Sequence, residues 1–188
     1  MSTTTIKQAM AMVSEFHDKV AGRRIEPLTS VMPPSLRNDT LSVAAELAAH
    51  ASDMLDLFKI HNNANHLRSH LILEETAELH EALAYGDEER ALDALADLLY
   101  VLLGTAVTLD LPLAEAFDEV HRSNMTKTKQ ADDPDNCRVR AKGNSYEKPR
   151  IREILDRYRN AVLLSVQAET ANATDTCRDR NSEQGSEG

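Results

Sequence analysis

The stretch ALDALADLLYVLLGTAVTL, residues 91–109, constrains the fold more than any other part of the chain. A helix over this stretch is apolar nearly all round, which is typical of a helix that others bury. Asp93 and Asp97 lie one turn apart on one face, and no Lys or Arg between residues 91 and 109 can pair with them. We therefore expect the most buried helix of the molecule to carry two carboxylates that need compensation from elsewhere.

The preceding segment, HLRSHLILEETAELHEAL (66–83), carries carboxylates in the same unfavourable way. On a helix turning about 100° per residue, Glu75 and Glu78 fall inside the apolar arc and Glu74 lies at its edge. Burying unpaired charges is costly, and mutual repulsion raises the pKa of each carboxyl. Mg²⁺ binds oxygen ligands and keeps waters that a substrate phosphate can displace, so it relieves both costs. The two helices together predict a metal site.

Hydrophobic periodicity predicts helices over residues 3–21, 40–60, 66–85, 88–109, 112–127 and 150–165. Gly22 and Gly86 are placed to end two of them, and Asn38, Asp39 and Asn65 are candidate N-caps. Proline and other turn residues predict loops over 23–39 and 128–149. The polar, aperiodic segment 166–188 predicts a disordered tail.

The composition favours packed helices. Aromatic residues make up 4% of the chain, there is no Trp, and no strand pair carries hairpin chemistry. We therefore predict an all-α fold, a bundle of four to five helices within a single domain over residues 1–165.

The formal net charge of −10 argues against binding to polymeric nucleic acid, which requires a basic surface. It suits a protein that uses divalent cations, although acidity alone also keeps a protein soluble.

Cys137 and Cys177 form no CxxC pair and are expected to be free thiols in a reducing compartment. The N-terminal sequence lacks the pattern of a signal peptide, and no apolar run approaches the roughly 20 residues of a membrane span. We expect a cytoplasmic protein without a membrane partner.

The run from Leu71 to Glu78, followed by Asp93 to Val101, resembles the MazG-like and phosphoribosyl-ATP-pyrophosphohydrolase-like superfamily. This superfamily of all-α NTP pyrophosphatases carries EExxE on one helix and ExxD on the next. Segments 14–20, 120–127 and 142–146 resemble its opening helix, the part after the paired helices and its C-terminal substrate loop. The chain departs from the signature at Ala94, where the family has Glu, and Asp93 lies one residue further away. Segment 23–65 looks longer than the minimal core, and its role is open.

The resemblance implies roles for particular residues. The metal ligands would be Glu75, Glu78 and Asp97, with Asp93 as a further ligand or a supporting group. The catalytic base that orients or deprotonates water would be Glu74 or Glu75, both within the acidic metal site. Arg68 would be either a structural partner of Glu75 or a phosphate contact. Asn124 and Lys127 would approach the phosphates, and Lys142 and Tyr146 would close over the nucleotide.

The implied reaction is (d)NTP + H₂O → (d)NMP + pyrophosphate with Mg²⁺, for which Mn²⁺ is an expected substitute. A purine nucleotide, dGTP or dATP, is the expected substrate, in a housekeeping or nucleotide-pool role that is also known in phages. The apolar helix over 91–109 and the family both suggest a homotetramer or a homodimer. The alternatives are a dUTPase-like enzyme, a phosphoribosyl-ATP pyrophosphohydrolase, and a non-catalytic acidic helical binding protein.

Overall fold

The structure is a computed structural model that describes residues 4–20, 32–129, 140–141 and 143–183. It consists of two compact units, one over residues 23–113 and one over residues 1–22 together with 114–188. The described residues are helical apart from one pair of two-residue strands, so the all-α prediction is confirmed. The six described helices are α1 Ile6–Val20, α2 Pro34–His61, α3 Ala64–Tyr85, α4 Glu88–Thr108, α5 Leu113–Met125 and α6 Ile151–Glu183.

The unit over residues 23–113 contains α2, α3 and α4. Helix α2 begins at Pro34, not near residue 40, so Asn38 and Asp39 lie inside the helix and the prediction that they cap it is wrong. The reason is that Pro34 occupies the first turn, where its missing N–H costs nothing and its φ is already helical. The loop predicted over 23–39 therefore lies for the most part outside the described residues or inside α2.

The break between α2 and α3 is set by two asparagines. Asn62 ends α2 in the left-handed conformation, with φ 49°, and its N–H donates to the carbonyl of Phe58 at 2.7 Å. Asn63 caps α3 by accepting from the N–H of Asn65 at 2.8 Å. Asn65 is therefore not the cap that we predicted. Asn tolerates positive φ and is a favoured N-cap, so two adjacent asparagines end one helix and begin the next.

Helix α4 is much less covered than its sequence predicts. Small residues of α4 are buried, among them Ala91, Ala94 and Ala106, but its large side chains are exposed, including Tyr100 at 78% and Val107 at 82%. The expectation that α4 is the most buried helix is therefore wrong for the single chain. Among the described residues of this unit, α3 is the main neighbour of α4, and one neighbour covers one face of a helix that is apolar on several.

By length and hydropathy alone, α4 also qualifies as a candidate membrane span, so our expectation that no segment would qualify is wrong. Core helices of soluble proteins meet the same two criteria. Asp97 lies near the middle of α4, with Asp93 one turn before it, and a charged side chain at this depth would be costly in hydrocarbon. The absence of a membrane partner stays a prediction.

The other unit contains α1, α5, α6 and the strand pair. Strand β1, Thr128–Lys129, pairs antiparallel with β2, Arg140–Ala141, with Thr128 opposite Ala141. Ser123 of α5 is buried, and its hydroxyl donates to the carbonyl of Glu147 at 2.7 Å. This bond ties the end of α5 to the segment that leads into α6.

Helix α6 continues to Glu183, so the predicted end at residue 165 is wrong, and residues 166–183 are helical where we predicted a disordered tail. Extending an existing helix avoids the cost of nucleation, which a separate helix in this segment would have to meet. Residues 184–188 lie outside the described residues. A domain limit at residue 165 stays a prediction.

An ion-pair network anchors the start of α6. Glu119 of α5 accepts two hydrogen bonds from Arg122, at 2.8 and 2.9 Å, and one from the backbone N–H of Arg150, at 2.8 Å. These bonds, those from Arg122 first, lower the pKa of Glu119 to about 2. The ionised carboxylate therefore also stabilises the N-terminus of α6.

This network should make the thermal stability of the protein depend on pH. The folded-state pKa of Glu119 lies below the ordinary value of 4.5, so its contribution is complete above pH 4.5 and disappears as the pH falls to about 2. We expect Glu119→Gln to melt a few degrees below wild type at pH 7 and the difference to vanish near pH 2, in thermal melts across this range. Asp156→Asn, which removes an exposed pair with Arg152, is the control and should show no such trend. A constant difference at every pH would contradict the assignment.

Candidate active site

The carboxylate-bearing helices form a tight antiparallel hairpin. Gly86 ends α3 with φ 68°, a conformation that glycine adopts without strain, and Asp87 caps α4 by accepting from the N–H of Arg90 at 3.1 Å. Arg90 also binds Glu81 at 3.0 Å, which closes the end of the hairpin. Because only Gly86 and Asp87 join the helices, α4 must run back along α3.

The hairpin brings four other predicted acidic residues within electrostatic reach of Glu75. The pKa of Glu75 is raised above its ordinary value of 4.5, first by burial and then by the like charges of four neighbours. Those neighbours, in order of effect, are Glu78, Asp97, Glu74 and Asp93. The convergence of EExxE with the aspartates of α4, which the sequence predicts, is therefore present in the structure.

The burial of these groups differs from the prediction. Glu75 is half-buried, whereas Glu78, Asp93 and Asp97 are exposed in the single chain. The predicted placement of all these carboxylates in a dry interior is wrong, because the exposed part of α4 leaves this edge of the hairpin open to solvent. The residues share a surface, not a core, and that surface is accessible to a charged ligand.

A histidine that we did not predict supports the cluster. His70 lies one turn before Glu74 on α3, with its Nδ1 2.9 Å from the carbonyl of Ala51 on α2 and its Nε2 3.6 Å from a carboxylate oxygen of Glu74. Its side chain is only 13% exposed. If Nδ1 carries the proton, it donates to that carbonyl and the ring is held with Nε2 towards Glu74. The i, i+4 spacing from Glu74 is a signal that would have identified His70 from the sequence.

An open groove runs between α2 and α3 beside the cluster. Its volume is about 590 Å³, within the range of small-molecule sites. Alanines of α2 line one wall, and His70, Glu74 and Glu78 contribute to the other. The groove thus joins an apolar surface to two of the candidate site residues.

The donor chemistry of the cluster fits a hard divalent cation. It offers only carboxylate oxygens, and after burial the like charges of its neighbours contribute to the raised pKa of Glu75. In the part of the chain that the structure describes, however, no three His, Cys, Asp or Glu side chains are arranged to hold an ion as they stand. Binding would therefore require these surface side chains to turn towards a common point.

Apart from Arg68, the predicted substrate residues lie in the other unit or outside the described residues. At the end of α5, the Nζ of Lys127 donates to Oδ1 of Asn124 at 2.7 Å, so these two residues are brought together. Tyr146 is half-buried and follows a turn in which its N–H donates to the carbonyl of Gly143 at 2.9 Å. Lys142 lies outside the described residues. Arg68 is in α3, with the acidic residues, but no ion pair joins it to Glu75 among the described residues.

The hairpin of α3 and α4 lies within a segment that matches a known protein family. Residues 49–124 match the family model of phosphoribosyl-ATP pyrophosphohydrolase, and this range includes the second half of α2, all of α3 and α4, and α5 as far as Asn124. No curated protein and no solved structure matches the chain. The match agrees with the resemblance noted in the sequence: residues 49–124 are similar to the phosphoribosyl-ATP pyrophosphohydrolase family, which belongs to the MazG-like, all-α NTP pyrophosphatase superfamily.

Proposed function

We propose that the protein is a Mg²⁺-dependent nucleoside triphosphate pyrophosphohydrolase that converts a (d)NTP to a (d)NMP and pyrophosphate. The observation that carries this proposal is that the hairpin of α3 and α4 places Glu78, Asp97, Glu74 and Asp93 within electrostatic reach of the half-buried Glu75. Such a set is unfavourable for a fold without a bound cation, since each ionised carboxylate repels the others. Pyrophosphohydrolases need an anionic site of this kind because their substrates bind together with metal ions.

The acidic residues would have two roles, metal binding and activation of the attacking water. Glu75, Glu78 and Asp97 would hold the cation, and Asp93 would bind it or support it. A bound Mg²⁺ would offset charge on the phosphate oxygens. The base that orients or deprotonates the attacking water would be Glu74 or Glu75. Glu74 lies beside the proposed metal ligands and 3.6 Å from Nε2 of His70, which supports a role for it in positioning water.

The residues outside the hairpin would hold the nucleotide. Lys127 and Asn124 already contact each other and offer an ammonium and an amide N–H₂ as donors to phosphate oxygens. Lys142 and Tyr146 would close over the nucleotide, as the family resemblance implies.

The substrate is proposed to be a purine (d)NTP, such as dGTP or dATP. Phosphoribosyl-ATP is the second candidate, because the matched family bears its name. Both contain a triphosphate that is cut between the α- and β-phosphorus atoms, so the same acidic cluster serves either. A dUTPase-like preference is the remaining enzymatic alternative.

The experiment that tests the function is a panel of nucleotides assayed for pyrophosphate release. The panel contains the four dNTPs, the four NTPs, dUTP and phosphoribosyl-ATP, each with Mg²⁺, Mn²⁺ or EDTA. We expect turnover that EDTA abolishes and that Glu78→Ala reduces roughly 10²-fold or more, while Glu89→Ala, at an exposed position of the first turn of α4, leaves it unchanged.

The same preparations separate the enzyme from a binding protein. Absence of turnover on every nucleotide, together with no Mn²⁺ binding in calorimetry, would favour the non-catalytic acidic binding protein. Turnover that persists in EDTA would overturn the metal requirement.

We further propose that the enzyme is a cytoplasmic homo-oligomer, a tetramer or a dimer. The support is the apolar surface of α4, where Leu92 and Leu95 are more than half exposed in the single chain. Contiguous apolar surfaces of this kind are rare on monomeric soluble proteins. The same apolar surface on a second copy of the chain could cover it, because every copy carries an identical α4.

A further inference from the structure

Arg68 is a cation on the helix that carries the acidic cluster. It is half-buried in α3, and among the described residues no hydrogen bond or ion pair involves its guanidinium. A partly covered guanidinium with free donors is a site for an anion.

The missing side chain of Gly104 leaves space for this guanidinium against α4. A Cβ built on Gly104 would lie 3.1 Å from Nη1 of Arg68, closer than ordinary van der Waals contact. The guanidinium therefore lies close to the backbone of α4, and a Cβ at position 104 would require its Nη1 to shift by a few tenths of an ångström. Glycine has a lower helix propensity than alanine, so its presence within α4 favours a reason of this kind.

The contact between Arg68 and Gly104 lies on the same seam as the acidic cluster. Because α3 and α4 are antiparallel, moving seven residues along α3 from Arg68 and seven back along α4 from Gly104 leads to Glu75 and Asp97. Seven residues are nearly two turns, so these residues share the faces of the contact, about 10 Å further along the helices. A free cation and a group of metal-binding carboxylates at this separation suit an extended anion.

We propose that Gly104 is a positioning residue that seats Arg68 to bind the pyrophosphate portion of the substrate. This inference rests on the proposed function, in which the bond beside the α-phosphorus breaks at the acidic cluster. The β- and γ-phosphates extend away from that point, and the planar guanidinium of Arg68 binds phosphate oxygens through paired N–H donors. Gly104 acts only through Arg68 and touches no substrate.

The test uses Arg68→Ala, Gly104→Ala and the double variant, with inorganic pyrophosphate as the probe. Calorimetry with Mn²⁺ measures its affinity, and steady-state kinetics on the nucleotide of highest turnover measures KM and kcat. We expect Arg68→Ala to weaken pyrophosphate binding at least about tenfold, since a charge-assisted bond is lost. Gly104→Ala should weaken it by a smaller factor, because the added methyl group displaces the guanidinium by a few tenths of an ångström. In the Arg68→Ala background, Gly104→Ala should have no further effect.

Two controls separate the possible failures. Arg90→Ala removes an exposed arginine of α4 that pairs with Glu81 and should leave pyrophosphate affinity unchanged. Melting temperatures of all variants verify the fold, and the double variant has room for the added methyl group. Wild type that hydrolyses nucleotides while Arg68→Ala binds pyrophosphate normally would overturn this inference and leave the proposed function intact. Wild type without turnover would overturn the proposed function, and pyrophosphate affinity would still decide the role of Arg68.

Discussion

Replacing Glu75 by Gln is expected to abolish most pyrophosphate release and, at the same time, to raise the melting temperature of the metal-free protein. The loss of turnover should be roughly 10²–10⁴-fold, the range for removing a residue that acts as a general base. The gain in stability follows from the raised pKa of Glu75, which burial and four like charges cause. Gln keeps the shape of the side chain and removes its charge.

The pH dependence of this effect has a definite sign. A carboxyl whose folded-state pKa is raised destabilises the fold at pH values above that pKa and has no effect below the ordinary value of 4.5. The melting temperature of Glu75→Gln should therefore exceed that of wild type at pH 8 in EDTA and converge with it as the pH falls below 4.5. Mg²⁺ should stabilise wild type more than the variant.

Scanning calorimetry of both proteins, with EDTA and with Mg²⁺, measures these differences. Glu89→Gln, which neutralises an exposed carboxylate in the first turn of α4, is the matched control and should not gain stability in EDTA. A Glu75→Gln variant that is less stable than wild type in EDTA would show that Glu75 has a favourable partner in the fold, and the metal site would have to be reconsidered.

The double variant Leu95→Glu and Leu99→Glu is expected to convert the oligomer to monomers at micromolar concentration. Both side chains are large and exposed in the single chain, at 51% and 39%, and lie one turn apart on α4. If a second copy covers them, each interface acquires four buried carboxylates without partners, and unpaired buried charges cost several kcal/mol each. Sedimentation equilibrium over a range of concentrations measures the change in mass.

Ile60→Glu is the control for this prediction, because Ile60 is 73% exposed at the end of α2 and outside the surface of α4. It should leave the mass of the oligomer unchanged. Wild type that sediments as a monomer at every concentration would contradict the oligomer, and the apolar surface of α4 would then need another partner. Loss of turnover along with the oligomer would indicate that the site is complete only in the assembly.

Local signals in the sequence were sufficient for most of the fold. Gly86 as the end of α3, the limits of α4 and the start of α5 after Pro112 follow from capping and proline rules that act within a few residues. At α2 the capping rule predicts the wrong start, because the helix begins at Pro34 and Asn38 lies inside it. The long extension of α6 could not be predicted from its polar composition, because helix propagation depends on the formed helix before it.

The identity of the acidic residues and their convergence are properties of the sequence, because 3.6-residue periodicity and the two-residue connection of Gly86 and Asp87 align α3 with α4. Their exposure is not, because accessibility depends on which helices cover α4, and in the single chain most of its large side chains are uncovered. Tertiary structure alone also brought His70 to the carbonyl of Ala51 and Arg68 to Gly104. Contacts between helices depend on how the helices are rotated and how far apart they lie, and the periodicity within one helix does not determine either.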